Sequence, residues 1–417
     1  MTVDDKGMSA QALPVGGAWC WFGDPRALHH EGRYKRTFVS YISDAGDIVI
    51  AQYDHGTGEL STSTLMSGFP KDDHNNPAIC VRPDGRIMAF WTGHQYPGVP
   101  IYYRRSMLAE DITGGWEPVR EITDNTSGDR PGFTYQNLAQ LSREPGRLFV
   151  FWRGGNFNPT FSTTVDGETW TPAATLISSP GERPYVKVFS DGTDTIHFAF
   201  TQAHPNRVRT SIYYMYYRAG SLHRADGTPI GDLGAAIRPD QADLVYDAAT
   251  AGPKAWIWDI ACDSAGRPIL VYATFPSDTD HRYRYARWDN AGSWVDTEIT
   301  AAGDSISADG NEPNYSGGIS LDHANPSMVL LSRQEPGEGG RHEISRWTTT
   351  DQGASWDSVA ITSNSRELNV RPIKPHGMRG DGALSVLWMA GEYPSYTSYQ
   401  TRIMALGEDG MPFALCR

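Results

Sequence analysis

One pattern of hydrophobic and polar positions recurs along the chain. Each copy has a polar or aromatic opening, an apolar stretch, a turn, and a second stretch rich in Val, Phe, Trp and Leu. Seven copies in 417 residues give about 60 residues each, somewhat longer than the roughly 40–50 residues of common propeller repeats. The copies are Trp19–Tyr41, His74–Trp91, Tyr135–Trp152, Tyr185–Phe200, Trp258–Tyr272, Tyr315–Ser332 and Arg371–Trp388.

Further strand signals follow most copies and indicate third strands, at Ile48–Tyr53, Ile101–Ser106, Ser211–Tyr217, His281–Trp288 and His342–Thr348. Two segments, Thr164–Trp170 and Thr349–Trp356, fit the Asp-box pattern. In such a box Asp binds turn amides, Gly takes the turn and Trp packs between blades. The sequence therefore predicts an all-β fold, a seven-bladed β-propeller of mostly four-stranded antiparallel blades over residues 17–417, after an N-terminal extension over 1–16. A β-sandwich or a β-helix is the alternative.

Composition supports many short strands, because the chain holds 43 Gly, 27 Pro and 13 Trp. A net charge of −13 argues against a nucleic-acid binder, so any anion must be recognised by a few local cations. Residues 1–14 show no apolar run of signal-peptide length, and no stretch approaches the ~20 apolar residues of a membrane helix. We expect a soluble monomer without a membrane partner, cytoplasmic as the sequence stands, or secreted if a signal peptide has been removed.

The four cysteines are far apart and form no CxxC pair, which excludes the usual zinc-site spacing. We predict buried thiols at Cys20, Cys80, Cys262 and Cys416, with a Cys20–Cys416 bridge between the chain ends as the alternative. No motif for a cofactor or a metal is evident. A structural cation in the central channel is left open.

Strand direction sorts the polar residues between the two mouths of the channel. The first strand of a blade begins, and the second ends, at the same face, and the opposite face lies about 20 Å away. First strands of blades two to four open on His74, Tyr135 and Tyr185, and the corresponding second strands end at His94, Arg153 and His204. We expect these six to converge on one sector of one mouth, with Tyr315, Arg333 and Arg371 on the far wall.

This set contains imidazoles, phenols and a guanidinium but few carboxylates. A glycosidase needs a carboxyl pair, and the side chains of Asp72 and Asp73 would point opposite ways in a strand. No GxSxG elbow occurs. The set suits β-elimination from a uronic acid: Arg153, aided by a protonated His204, would neutralise the carboxylate while His and Tyr move protons. An open metal site at His74, His94 and His204 is the alternative.

Several motifs together resemble the BNR-repeat seven-bladed propeller polysaccharide lyases, a group that includes ulvan lyases and L-rhamnose-α-1,4-D-glucuronate lyases acting on gum arabic. They are Gly17–Leu28, Asp73–Pro77, Phe151–Gly154 and Arg183–Lys187. The resemblance spans almost the whole chain. It implies that the substrate is a uronate-containing oligo- or polysaccharide. It further implies that a rhamnosyl-α-1,4-uronate (glucuronate) linkage is cleaved by elimination, leaving a 4,5-unsaturated uronate.

The resemblance also implies roles. His74 would be the base, and also the acid in one version, with Tyr135 as its partner, while Arg153 and His204 would hold the carboxylate. The residues expected to bind the sugar are His94, Tyr185, Asn75, Trp152, Arg333 and Arg371.

Two alternatives stay open. Related propellers hydrolyse rhamnosyl-glucuronate with a single His at the opposite mouth, where His29 and His30 lie. The other alternative is a propeller that binds carbohydrate without catalysis.

Overall fold

The computed structural model describes residues 16–94, 98–126, 132–336 and 340–415. Most of the predicted N-terminal extension (1–15) lies outside the described residues, and so does Cys416, on which the alternative Cys20–Cys416 bridge depends. Cys20, Cys80 and Cys262 are free thiols, and Cys20 and Cys80 are buried. Among the described residues, no helix has the length and apolar character needed to span a membrane.

The described strands form seven antiparallel sheets, here called blades 1 to 7. Blade 1 contains Ala27–Glu31, Lys35–Ile42, Ile48–Asp54 and Leu60–Met66. Blade 2 contains Ala78–Val81, Arg86–Trp91, Ile101–Ala109, Asp111–Trp116 and Arg120–Ile122. Blade 3 contains Thr134–Gln140, Leu148–Arg153, Pro159–Thr164 and Ala174–Thr175. Blade 4 contains Tyr185–Ser190, Thr195–Thr201, Ile212–Arg218, Ser221–His223, Pro229–Asp232 and Asp243–Tyr246.

Blade 5 contains Lys254–Cys262, Pro268–Ser277, Asp280–Trp288 and Trp294–Gly303. Blade 6 contains Ile319–Leu321, Met328–Gln334, His342–Thr348 and Asp357–Ala360. Blade 7 contains Leu368–Ile373, Leu387–Ser395, Ser398–Leu406 and Pro412–Ala414. The helical segments are short, at Asp73–Asn75, Gly155–Phe157, Pro239–Gln241 and Ala248–Ala251.

The inner strands are apolar because neighbouring blades cover both of their faces. Leu148–Arg153 is buried at every position, whereas the outer strand Ile101–Ala109 alternates near its start and is exposed at its end. The ring closes where Leu28 of blade 1 forms a parallel bridge with His376, just after the first strand of blade 7. The predicted seven-bladed β-propeller is confirmed.

Both Asp boxes join third and fourth strands and behave as predicted. In the first, the Asp166 carboxylate accepts hydrogen bonds from the amides of Glu168 and Thr169. Gly167 takes a φ of +76°, a left-handed conformation that favours glycine. The Trp170 indole donates to the Tyr103 hydroxyl of blade 2 at 3.2 Å, so the box locks blade 3 to its neighbour.

One stretch differs from the prediction. The first strand of blade 1 begins at Ala27, not at Trp19, and residues 17–26 instead run through the central channel, where they are here called the channel segment. Trp21 stacks on Trp258 of blade 5 with ring centroids 4.4 Å apart, and the amide of Cys20 donates to Asn76. Inner strands from several blades surround the channel segment, so its residues are buried on all sides. Its sequence of aromatic and small residues therefore looks like that of an inner strand, although it forms none.

Candidate active site

The face where first strands begin and second strands end is here called the upper mouth, and the opposite face the lower mouth. At the upper mouth the His74 ring stacks on the His94 ring with centroids 4.0 Å apart. The centroid of Tyr135 lies 5.5 Å from that of His74 and 5.8 Å from that of Tyr185. Three adjacent blades thus bring these rings into one continuous cluster, as strand direction predicted.

Arg153 and His204 complete the same cluster. The Arg153 guanidinium donates to the Tyr185 hydroxyl at 3.0 Å and lies 4.7 Å from the centre of the Tyr135 ring. His204 packs edge-on against Tyr185, with centroids 5.3 Å apart. All six predicted side chains therefore meet, and each is at most 8% exposed, so little of the cluster is open to solvent.

Two carboxylates hold His74. Asp72 caps the short helical turn Asp73–Asn75, and His74 Nδ1 lies 2.6 Å from Asp72 Oδ1 and 2.9 Å from Asp73 Oδ1. The expectation that these two carboxylates point apart is wrong, because the backbone here forms a turn and not a strand. Burial alone would lower the pKa of His74, but Cys20, Asp72 and Asp73 outweigh it and raise that pKa well above its usual value.

Asp72 also reaches His94, whose Nδ1 lies 2.9 Å from Asp72 Oδ2. Burial and the adjacent His74 lower the pKa of His94 to about 3, so this ring is neutral at pH 7. The pKa of Asp72 is itself lowered: burial opposes this, but the two histidines outweigh it. An ionised carboxylate only accepts hydrogen bonds, so Asp72 fixes the proton of each ring on Nδ1 and leaves Nε2 as the reactive nitrogen.

Arg153 carries a buried charge without a partner of opposite sign. Its residue is 4% exposed, and no carboxylate of the described residues lies within ion-pair distance of it. Its neighbours are the Tyr135, Phe157 and Tyr185 rings, which stabilise a cation only in part. A buried guanidinium in such surroundings is a ready binding site for an anion.

His204 differs from the expectation in its charge. Burial and the nearby cations, Arg153 foremost, lower the pKa of His204 to about 3, so it is neutral and not protonated. Its Nδ1 accepts a hydrogen bond from the Asn206 amide at 3.1 Å. The proton of the neutral ring therefore sits on Nε2, which makes His204 an uncharged donor beside Arg153.

Tyr135 has a strained backbone, with a φ of +64° at a bulge between Thr134 and Asn137. The Asn137 side chain holds the bulge by donating to the carbonyl oxygens of Tyr135 and Phe22. Burial raises the pKa of Tyr135 well above its usual value, although the Arg153 charge opposes this. Tyr135 is therefore a neutral phenol that can donate a proton.

Of four further residues expected to contact the sugar, three have their polar groups bound within the protein. Asn75 and Trp152 are fully buried: Asn75 accepts from the His94 amide, and Trp152 packs on Phe133. Arg371 is also buried and donates to Asp73 and to the Trp19 carbonyl at 2.5 Å each. Arg333, in contrast, is part-exposed beside Glu335. The first three support the pocket from behind, because their polar groups are used by the protein itself.

Sequence reasoning missed part of the wall, although it had placed Tyr315 there. The Tyr315 hydroxyl lies 3.3 Å from His74 Nε2, and Tyr396 meets the His74 ring edge-on at 4.9 Å. Glu312 lies 3.7 Å from His204 Nε2, and burial raises its pKa. Glu312 and Tyr396 lie on a loop and a hairpin tip, where no periodic pattern marks them.

The three-histidine metal site is not formed, because His204 lies on the other side of Tyr185 from His74 and His94. Two groups of the described residues have ligand atoms close enough for a metal ion: Asp72, His74 and His94, and Cys20, Asp73 and His74. In the first group hydrogen bonds between the carboxylate and the two rings already occupy the Nδ1 atoms.

The lower mouth was the alternative site. His29 lies at the end of the first strand of blade 1, as predicted, but its Nδ1 contacts Thr37 at 2.9 Å and its Nε2 contacts Glu31 at 3.2 Å. A cleft of about 630 Å³ beside His30 and His376 opens on this face. Clefts of about 540 and 520 Å³ flank Arg207 near His204. Cleft volume therefore does not distinguish the mouths, and the chemistry of the side chains must.

The seven-bladed fold and the Asp boxes are those of a BNR-repeat β-propeller. Residues 36–302 match the family described as BNR repeat-containing family member, and the chain belongs to that family. No curated protein sequence matches the chain.

Among solved structures, the chain is similar to a PL25 ulvan lyase bound to -[GlcA(1-4)Rha3S]-, at 17% identity and a TM-score of 0.71 over 97% of this chain and 96% of that one. A second structure of a PL25 ulvan lyase is 16% identical to the chain, with a TM-score of 0.72 over 97% of both chains. The polysaccharide lyase Uly1 is 13% identical, with a TM-score of 0.60 over 98% of this chain and 94% of that one. At these identities the likeness shows a shared fold.

Proposed function

We propose that the protein is a polysaccharide lyase that cleaves a rhamnosyl-α-1,4-uronate linkage by β-elimination. The observation that carries this proposal is the buried Arg153, which lies among aromatic rings with no carboxylate of the described residues beside it. A uronate carboxylate would supply the missing charge through a bidentate contact, with the neutral His204 Nε2–H as an additional donor. Neutralising this carboxylate stabilises the charge that develops when the C5 proton leaves.

His74 and Tyr135 suit the two proton transfers. In its neutral form His74 has its ring proton kept on Nδ1 by Asp72, which leaves a lone pair on Nε2. That nitrogen takes the C5 proton, the C5–H electron pair forms the C4–C5 double bond, and the C4–O4 bond breaks. Tyr135 gives its proton to O4. Asp72 and Asp73 strengthen the base, because they raise the pKa of His74.

The comparisons support this proposal without deciding the linkage. The similar PL25 lyase was solved with a glucuronate-containing chain, and the motifs that resemble this group include three of the converging side chains, His74, Arg153 and Tyr185. The hydrolase alternative has less support, because the solved structures named above that share this fold are polysaccharide lyases.

The test is incubation with ulvan and with gum arabic, followed by the ultraviolet absorbance of 4,5-unsaturated uronate. We expect absorbance from the native protein and none from His74→Ala, while His29→Ala, a matched change at the lower mouth, keeps full activity. Release of rhamnose without absorbance, lost in His29→Ala, would reject the lyase in favour of the hydrolase. Binding with no product would indicate a carbohydrate-binding propeller.

A further inference from the structure

Glu312 is a carboxylate at the edge of the candidate active site that has no cationic partner. It belongs to the loop between the last strand of blade 5 and the first strand of blade 6, and its side chain is 19% exposed. The ring beside it is His204, which is neutral and whose Nε2 lies 3.7 Å from Glu312 Oε2. Within the described ranges, no lysine or arginine lies within ion-pair distance of Glu312. A carboxyl group thus adjoins the nitrogen that we assign to the carboxylate of the substrate.

Hydrogen bonds fix the position of Glu312. Its carbonyl oxygen accepts from the Ser305 hydroxyl at 2.8 Å and from the Tyr315 amide at 3.1 Å. The Asn206 side chain donates to Glu312 Oε2 at 3.0 Å, while the backbone amide of the same residue donates to His204 Nδ1. Asn206 therefore holds the carboxyl group and the imidazole side by side. In the described part of the chain, no group donates a hydrogen bond to Oε1, so this oxygen is available to a proton.

The ionisable groups that face Glu312 come from several elements. They are His204 after the second strand of blade 4, His74 and Asp73 in the turn before blade 2, Tyr396 in blade 7, and Tyr315 and Asp309 in the loop of Glu312 itself. Burial raises the pKa of Glu312, and Asp309 and Asp73 add to this effect, whereas His74 and the hydrogen bond from Asn206 oppose it. The surroundings therefore favour the protonated carboxyl group more than water does.

A bound uronate would bring a second carboxylate to the same place. Under the proposed function, its oxygen accepts from His204 Nε2–H and thus lies about 3 Å from the nitrogen that Glu312 already adjoins. Two ionised carboxylates that share a site repel each other, and the pKa of one of them rises strongly. Because the Arg153 charge keeps the uronate ionised, the group that becomes protonated is Glu312.

We propose that Glu312 is a further catalytic residue, which takes up a proton from solvent as the uronate binds and then donates a hydrogen bond to the substrate carboxylate. Its O–H group joins Arg153 and His204 as a third donor, so more of the charge that develops on this carboxylate is stabilised. The proton stays on Glu312 during the elimination, which uses His74 and Tyr135 for its own proton transfers. This inference rests on the proposed function.

The test counts the protons taken up when ulvan binds to the His74→Ala variant, by titration calorimetry in buffers of different ionisation enthalpy. This background is expected to stop turnover, and it removes an imidazole that would also titrate, whereas His94 and His204 have pKa values of about 3. We expect uptake of about one proton per bound uronate, because the complex holds one more proton than the free protein. Within the pH range of this uptake, affinity should fall about tenfold for each unit by which the pH rises.

Three variants in that background assign the proton. Glu312→Gln keeps a donor but cannot titrate, so the uptake should disappear and affinity should no longer depend on pH. Glu312→Ala also lacks the donor, and it should bind about tenfold more weakly than Glu312→Gln. The control Asp309→Asn removes a carboxylate from the same loop and should keep the uptake. Uptake that persists in Glu312→Gln would belong to His204 and would overturn the role of Glu312.

The outcomes separate this inference from the lyase proposal. Unsaturated product from the native protein, together with binding that takes up no proton, would overturn the role of Glu312 and keep the lyase. Uptake that depends on Glu312, without unsaturated product, would keep its contact with the carboxylate and overturn the lyase. Failure of the His74→Ala variant to bind ulvan would also overturn the role of Glu312.

Discussion

The two mouths of the channel use similar residues in opposite ways. At the lower mouth two buried cations have carboxylate partners, since Lys374 lies 2.8 Å from Asp322 and Lys187 contacts Asp24. A third, Arg82, donates to the carbonyl oxygens of Gly146 and Val165. At the upper mouth Arg371 is likewise paired, with Asp73, but Arg153 is equally buried and no carboxylate of the described residues pairs with it. Paired charges stabilise the ring, whereas an unpaired one is held ready for a ligand.

This contrast explains why the presence of buried polar residues alone does not distinguish a candidate active site from a structural cluster. The lower mouth has a histidine–carboxylate contact too, since His323 Nε2 lies 3.1 Å from Asp259. What differs is the balance of charge: the lower histidine has its carboxylate partner as folded, whereas under the proposed function the carboxylate of the substrate would complete the upper cluster. We therefore expect mutations at the lower mouth to change mainly stability and mutations at the upper mouth to change mainly activity.

The largest effect is expected on stability, at the lower mouth. Lys374→Ala leaves Asp322 buried without its partner and should lower the free energy of unfolding by about 3–5 kcal/mol. Urea denaturation measures this. Lys374→Met with Asp322→Leu, which removes both charges and keeps the volume, should recover most of the loss, and lyase activity should change little in either variant. A lyase activity that falls with stability intact would place catalysis at this mouth.

Arg153→Ala should lower kcat/KM about 10²–10³-fold, because one preorganised donor to the developing charge is lost. Its stability should stay the same or rise, since the variant no longer buries an uncompensated cation. Arg153→Lys keeps the charge but not the forked geometry, and we expect partial activity. Full activity in Arg153→Ala would refute the site assignment.

The smallest effect is expected from Asp72→Asn. Removing this negative charge lowers the pKa of His74, and because only the neutral ring accepts a proton, activity rises as pH passes that pKa. The acidic limb of kcat/KM should therefore move to lower pH, while the maximum falls roughly tenfold. A purely structural role would lower activity at every pH without moving the limb.

Strand direction predicted the Arg153 side of the site well. Arg153 ends one strand and Tyr185 begins another, so their meeting follows from the order of strands in a blade, which the repeat reveals. The same logic failed for Asp72 and Asp73, because one helical turn replaces the strand that it assumed. Local backbone geometry of that kind leaves no repeat in the sequence.

The sequence also did not predict the partners of residues that lie around the cluster. Arg371 occupies the strand position expected of a sugar-binding residue, but its guanidinium turns inward to Asp73. Glu312 comes from a long loop whose path the pattern of apolar residues does not specify. The alternation of apolar and polar residues predicts which face of a strand a side chain lies on. Which group that side chain then binds depends on how the channel is packed.

The channel segment forms the floor of the candidate site, whereas the blades form its walls. Phe22 lies behind the pocket, with its ring centroid 5.3 Å from that of Tyr135 and 5.0 Å from that of Tyr185. It belongs to none of the seven sheets, so a smaller side chain there would deepen the cavity without disturbing any strand register. Under the proposed function, the size of the accepted sugar could thus be changed through one short peptide while the blades keep the side chains that carry the chemistry.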